Sequence, residues 1–266
     1  MQQGKEGNSS MTFWDHLEEL RWSLFRVAIV LFVLLVGCFI ALPHIFDSFI
    51  LGPTGQDFFL YRWIAGLGKG DGFLMPDFSS DFKVDIININ VASQFLTHIS
   101  TSFWISLVLV FPYLIYEIWK YVKPALYENE KKSVRKAFIA GTALFYIGCA
   151  VGYCVIFPVT FRFLTGYTVG SSISNQISLN SYMTNFLTLV FIMGVVFEIP
   201  MLAWLLSRIG LIDKQMLKKY RSYAVVILMV LAALITPSGD PFTLLLVFLP
   251  LYFLYELSIL VVRERR

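Results

Sequence analysis

Charge is what this sequence has least of: Asp, Glu, Lys and Arg together make up 15% of its 266 residues. A soluble domain carries about 25%, because its surface must be solvated, so a water-soluble fold is excluded. Cysteine and histidine are scarce as well, three of each. Cys38, Cys149 and Cys154 lie in apolar runs with neither CxxC nor Cys/His spacing. That pattern gives no disulfide framework and no metal site, and leaves them as packing residues. His98 and His44 stand at span ends, and GxSxG, HExxH, GxxxxGK[ST] and GxGxxG do not occur. Without a nucleophile–base constellation an enzyme is not expected, and neither a cofactor nor a nucleic-acid partner is implied. Repeats of fixed period and the inverted symmetry of many secondary transporters are also missing. The opening segment has acids and no Arg-rich amphipathic face, and no small-residue cleavage site follows the first apolar run. No cleaved signal or transit peptide is expected there.

What is present is hydrocarbon: 57% of residues are hydrophobic, 17% are aromatic, and the mean hydropathy is +0.70. A helix needs about 20 apolar residues to cross about 30 Å of bilayer core. Four runs qualify, 22–43, 95–119, 137–161 and 186–207, and two shorter ones follow at 223–235 and 242–260. Only "TPSGDP" separates the last two. The expectation is an all-α integral membrane protein, residues 1–266 forming a single transmembrane domain of six helices, the last two short, with a long first outer region at 44–94.

Charge sets the direction. Seventeen basic residues fall at the N-terminal end, between spans two and three, after span four and at the C-terminus. The opposite loops hold Arg62, Lys69 and Lys83, with Arg162 near a span end. The bias places both termini in the cytoplasm.

Against that basic rim, a few acids stand out. "HLEELRWSLFR" puts Glu18, Glu19, Arg21 and Arg26 where the first helix leaves the membrane. "YEIWKYVKPALYENEKKS" puts Glu117, Glu128 and Glu130 between spans two and three. Two readings are open: local ion pairs worth tenths of a kcal/mol each, or carboxylates poised for a cationic ligand, arginine being suited by its planar fork. Deeper in, Glu198 lies ten residues from Arg208, about 15 Å at ~1.5 Å per residue. A charge near the midplane costs about 2.5–3.5 kcal/mol on insertion scales. Either it is a neutral acid hydrogen-bonded to a neighbouring helix, or it is a polar centre with a functional task. Pro200 bears on this, because proline leaves the Val196 carbonyl without its partner. Glu256 is nearer the cytoplasmic end and can snorkel.

Taken in order, "FWDHLEELR", "KPALYENE", "LFYIGCAVGYCVIFPVTFRFL", "MGVVFEIP" and "ALITPSGDP…FLPLYFLYE" resemble the TatC family. TatC proteins are the core receptor subunits of the twin-arginine protein translocase. The likeness runs from about residue 13 to 262; only about 55–88 lacks a counterpart. It implies a receptor for twin-arginine signal peptides in a Sec-independent translocase of the bacterial cytoplasmic (inner) membrane. That machine exports folded cargo on the proton-motive force, in a multi-copy complex with single-span subunits of the TatA/TatB type. By motif, Glu19 and Arg21 match the HLxELR element, and Glu130 the acid after the P-x-L-Y turn. Tyr121 falls where the family usually has phenylalanine. These four are the expected signal-peptide residues, Glu19 and Glu130 being the arginine-recognising acids. Glu198 and Tyr153 match the intramembrane acid and tyrosine, a contact for partner helices. Pro53 and Asp240 match outer structural positions. The chain departs from the pattern at Trp22 and Ser23, where a second basic residue is usual, at Leu244 in place of glutamine, and at Asn90 in place of aspartate. A proton- or ion-coupled solute transporter using Glu198 is the competing reading.

Overall fold

The computed structural model describes residues 13–55, 58–66, 84–123, 128–168, 170 and 175–262. Nearly all of it is helix, as apolar runs without water to satisfy their backbone must be. α1 (Phe13–Ile45) passes into a π-helical turn at Phe46–Ile50, a 3₁₀ turn at Gly52–Thr54 and the short α2 (Phe59–Gly66). α3 (Ser93–Val122) returns, and α4 (Glu128–Val151) leads through a second π-helical turn, Gly152–Ile156, into α5 (Phe157–Gly166). α6 (Leu179–Val196) and α7 (Ile199–Ile209) form one broken rod, followed by α8 (Lys214–Lys219), α9 (Arg221–Ile235) and α10 (Pro241–Val261). Two short strands, β1 (Ile86–Ile87) and β2 (Ile177–Ser178), pair in parallel and tie the segment before α3 to the start of α6.

Among the described residues, five helical stretches are long and apolar enough to cross a membrane. Each of the four long runs of the sequence lies inside one of them. Of the final pair, α9 has 15 residues and α10 has 21. Only α9 therefore falls clearly short of a crossing; α10 matches the run expected at 242–260 to within a residue at each end.

α6 is the hub. Tyr182, Phe186, Leu189 and Met193 recur at helical spacing and are all buried, the stripe expected of a helix facing a core. Val247, Leu251, Leu254 and Ser258 do the same on α10. α4 approaches α6 through glycines, a packing mode suited to membranes, where close backbone contact replaces hydrophobic drive. α1 is different: of its described side chains only Ser23 and Leu42 are buried, and α3 is its main neighbour. The three cysteines are free. His98 stacks on the Phe39 ring at 3.9 Å, and its Nε2 lies 2.8 Å from the Phe39 carbonyl.

The turn before α10 is held by Asp240. Its Oδ1 accepts from the Thr243 backbone N–H at 2.7 Å and its Oδ2 from the Ser238 hydroxyl at 2.6 Å. Burial works to raise this carboxyl, but those hydrogen bonds outweigh it and hold the group below the usual aspartate range. A depressed folded value means the contribution is present above the unfolded value and is lost as pH falls through the folded one. Asp240→Ala is expected to lose about 1 kcal/mol, the usual loss for a helix N-cap, read as a lower unfolding midpoint in detergent at neutral pH. The gap should narrow in strong acid; a gap unchanged by acid would mean that capping is not the cause.

Candidate functional site

The charged groups gather where the start of α1 meets the end of α3. Glu117, near the end of α3, is 4% exposed, and a carboxylate so enclosed must be paired and hydrogen-bonded. Arg26 of α1 does this with two edges of its fork: Nε donates to Glu117 Oε1 at 3.0 Å and Nη2 to Oε2 at 2.7 Å. Tyr113, one turn back on α3, donates its hydroxyl to Oε1 at 2.9 Å. Nη2 of Arg26 also donates to Ser23 Oγ at 2.9 Å. The spacings Ser23–Arg26 and Tyr113–Glu117 put each pair on one helix face. Glu117 is thus held in an ion pair, with a partner on another helix rather than a neighbour in sequence.

Glu19 is half-buried, and its Oε2 is enclosed without a hydrogen-bond partner among the described residues. Arg21 does not pair with it. That side chain is exposed, with Nη2 3.4 Å from Glu18 Oε1 and its guanidinium 5.9 Å from the centre of the Trp22 ring. Tyr121 is half-buried in the last turn of α3. Glu130 lies in the first turn of α4; its side chain, like that of Glu128, lies outside the described residues.

Glu198 occupies the break between α6 and α7. Pro200 sits in the first turn of α7 and supplies no N–H to Val196, so the helix interrupts at Phe197–Glu198. The Glu198 side chain is 7% exposed, and both carboxyl oxygens are enclosed without a hydrogen-bond partner. The expectation of a hydrogen bond to a neighbouring helix is not met among the described residues. Gly141 of α4 lies against it: a Cβ added there would stand 2.8 Å from Oε2. Tyr153 is not beside it. That hydroxyl donates to the Phe49 carbonyl at 2.8 Å, and its ring stacks on Phe49 at 4.5 Å, fastening the outer end of the first crossing. Pro53 is buried, and its carbonyl accepts from Tyr61 Oη at 2.9 Å. Arg221 and Glu256 pair at 2.8 Å between α9 and α10.

The expected residues thus fall into three places: Glu19 and Tyr121 at the α1–α3 end with Arg21 nearby, Glu198 alone at the helix break, and Tyr153, Pro53 and Asp240 in the outer scaffold. The sequence reading left Arg26, Glu117 and Tyr113 out of the site. The i,i+4 Tyr–Glu and i,i+3 Ser–Arg spacings were available as signals, but 91 positions separate Arg26 from Glu117.

A bundle of long apolar helices, with carboxylates collected at one end, defines a multi-pass helical membrane protein. The chain belongs to the TatC family: the family model described as "Sec-independent protein translocase protein (TatC)" matches residues 15–250. It is therefore a component of a Sec-independent protein translocase. A TatC of Blattabacterium is 34% identical over 258 residues, covering 96% of each chain. The Deinococcus radiodurans TatC is 30% identical over 258 residues, 97% of this chain and 88% of that one. A solved structure described as the twin arginine translocase receptor TatC superposes with a TM-score of 0.72 at 26% identity, over 92% of this chain and 97% of the other.

Proposed function

We propose that this chain is the receptor for twin-arginine signal peptides in its translocase. Glu19 carries the reading: it offers a carboxylate oxygen that nothing described in the chain satisfies, at an end of the bundle rich in basic residues. A guanidinium supplies the missing donors in a planar fork, which an ammonium cannot match. Glu130 furnishes the second acid, Tyr121 an aromatic wall, and Arg21 an outer contact. The apolar part of the signal then runs along the exposed flank of α1, where Leu24, Phe25, Ile29 and Phe32 are uncovered.

The chain is one transmembrane domain of six crossings in the bacterial cytoplasmic membrane, both termini inside; the basic-residue bias supports this direction. It acts with single-span TatA/TatB-type subunits in a multi-copy complex and exports folded proteins on the proton-motive force. It catalyses no reaction of its own. A solute transporter coupled through Glu198 draws on the buried carboxyl, but neither of its oxygens has a hydrogen-bond partner among the described residues, so those residues offer no hydrogen-bonded relay onward from it.

Titration of the purified chain with a twin-arginine peptide and its Lys-Lys counterpart decides the matter. The Arg-Arg peptide is expected to bind about tenfold or more tightly, as a charged hydrogen bond of ~1.5–3 kcal/mol implies. Glu19→Ala and Glu130→Ala should each remove that preference. Equal binding of the two peptides would defeat the receptor reading.

A further inference from the structure

We infer that the Arg26–Glu117 ion pair is a positioning clamp that sets the Glu19 carboxylate for a guanidinium ligand. The inference rests on the receptor reading and names two residues that act through Glu19 rather than touching the signal peptide.

Apolar packing does not fix the inner half of α1. From Leu17 to Arg26 the one buried side chain is Ser23, and it is polar. Leu17, Leu20, Trp22, Leu24 and Phe25 all face outward. What joins this half to the bundle is the fork of Arg26 on Glu117, backed by Ser23 and Tyr113. At the far end α1 meets α3 again through Phe39 and His98. The two contacts show that the helices run antiparallel. Glu19 lies seven residues before Arg26, about 10 Å along the axis at ~1.5 Å per residue, on the side of the clamp toward which α3 runs to its end with Tyr121 in its last turn. Among the described residues the clamp is the last hydrogen-bonded contact between α1 and α3 before the site, so the first turns of α1 depend on it for their position.

The pair also settles the local charge. Arg26 unpaired would stand about 10 Å from Glu19, within roughly one Debye length, and would repel an arriving guanidinium. Paired with Glu117 it is neutralised, and Glu19 keeps its attraction for a cation. Positioning and neutralisation are separable, because removing both charges together abolishes the repulsion and the clamp at once.

The test uses the full chain in detergent. It compares the native protein with Arg26→Ala, Glu117→Gln and the double variant. Spin labels carried on noncanonical residues at exposed positions 17 and 120 report the distance between the two helix ends, and titration reports twin-arginine peptide affinity. All three variants are expected to bind about tenfold more weakly and to show a broadened distance distribution. Glu19→Ala should lose binding with the native distance kept. A double variant that binds within twofold of native overturns the clamp and leaves charge neutralisation as the whole effect. Weak binding with an unchanged distance overturns it too. If the native chain fails to discriminate Arg-Arg from Lys-Lys, the receptor reading falls first and the inference with it. A discriminating native chain with indifferent variants sinks the inference alone.

Discussion

Leucine in place of Glu198 is expected to leave the isolated chain at least as stable as the native one while reducing export at least tenfold. The two halves of that result have different causes. Both carboxyl oxygens are enclosed and unpartnered among the described residues, so leucine breaks no hydrogen bond seen there. An unsatisfied buried polar group costs about 1–3 kcal/mol, and removing it relieves that penalty. A residue kept for packing would show the reverse, a loss of stability on substitution. Function should suffer because the carboxyl is suited to a donor from outside the chain. Glu198 lies at a break in the helical rod, where turning its side-chain torsions swings the group away from Gly141. A partner helix that satisfies it gains about 1.5–3 kcal/mol for a charged or strong hydrogen bond, tenfold or more in assembly. Glutamine keeps the hydrogen-bonding capacity and should fold normally, with an intermediate defect. The measurements are thermal unfolding of the purified chain, recovery of single-span subunits with it, and export of a reporter bearing a twin-arginine signal. Native export and assembly in the leucine variant would return Glu198 to a packing role.

How much of this could be read from residues alone differs from place to place. The long spans were readable because hydrocarbon-length runs announce themselves, yet every boundary lay further out. α1 begins at Phe13 rather than near 22, since "HLEELR" is built of good helix formers that hydropathy does not mark. The third span does not stop at 161: Pro158 falls in the first turn of α5, where proline is tolerated. Glu198 was readable as an acid out of place, and Pro200 as the reason for a break. Its lack of a partner was not readable, since that depends on which α4 residue faces it. The same holds for the clamp. Glu117 looked like one acid among several in a basic rim, and only antiparallel packing of α1 on α3 brings Arg26 to it. Nor does the sequence show how far apart Tyr153 and Glu198 stand. Tyr153 lies twelve residues beyond Gly141 on the same continuous span, about 18 Å along the axis at ~1.5 Å per residue.

The second large effect should come from Gly148. An added Cβ there would stand 2.5 Å from the Met193 carbonyl oxygen and 2.8 Å from Phe197 Cβ. The first neighbour is backbone and the second is fixed to it, so neither can give way without moving α6 from α4. Even Gly148→Ala is expected to lose about 1–3 kcal/mol, the usual range for overpacking, and Gly148→Leu should prevent recovery of folded protein. Gly141, two turns earlier on the same helix, presents somewhat longer but still close distances with the opposite outcome. Its added Cβ would meet Glu198 Oε2 at 2.8 Å and Met201 Cε at 3.0 Å, both far ends of flexible side chains. Gly141→Ala should therefore stay within about 0.5 kcal/mol of native in stability, as substitutions free of rigid clashes do. It should nevertheless alter export, because it pushes the Glu198 carboxyl out of its seat. The pair of alanine variants thus separates the rigid seam that holds α4 to α6 from the movable group beside it. Unfolding midpoints and export are measured on both. Equal losses of stability at the two glycines would mean that the seam near Gly141 is as unyielding as that at Gly148, and Glu198 would then have no freedom to turn toward a partner.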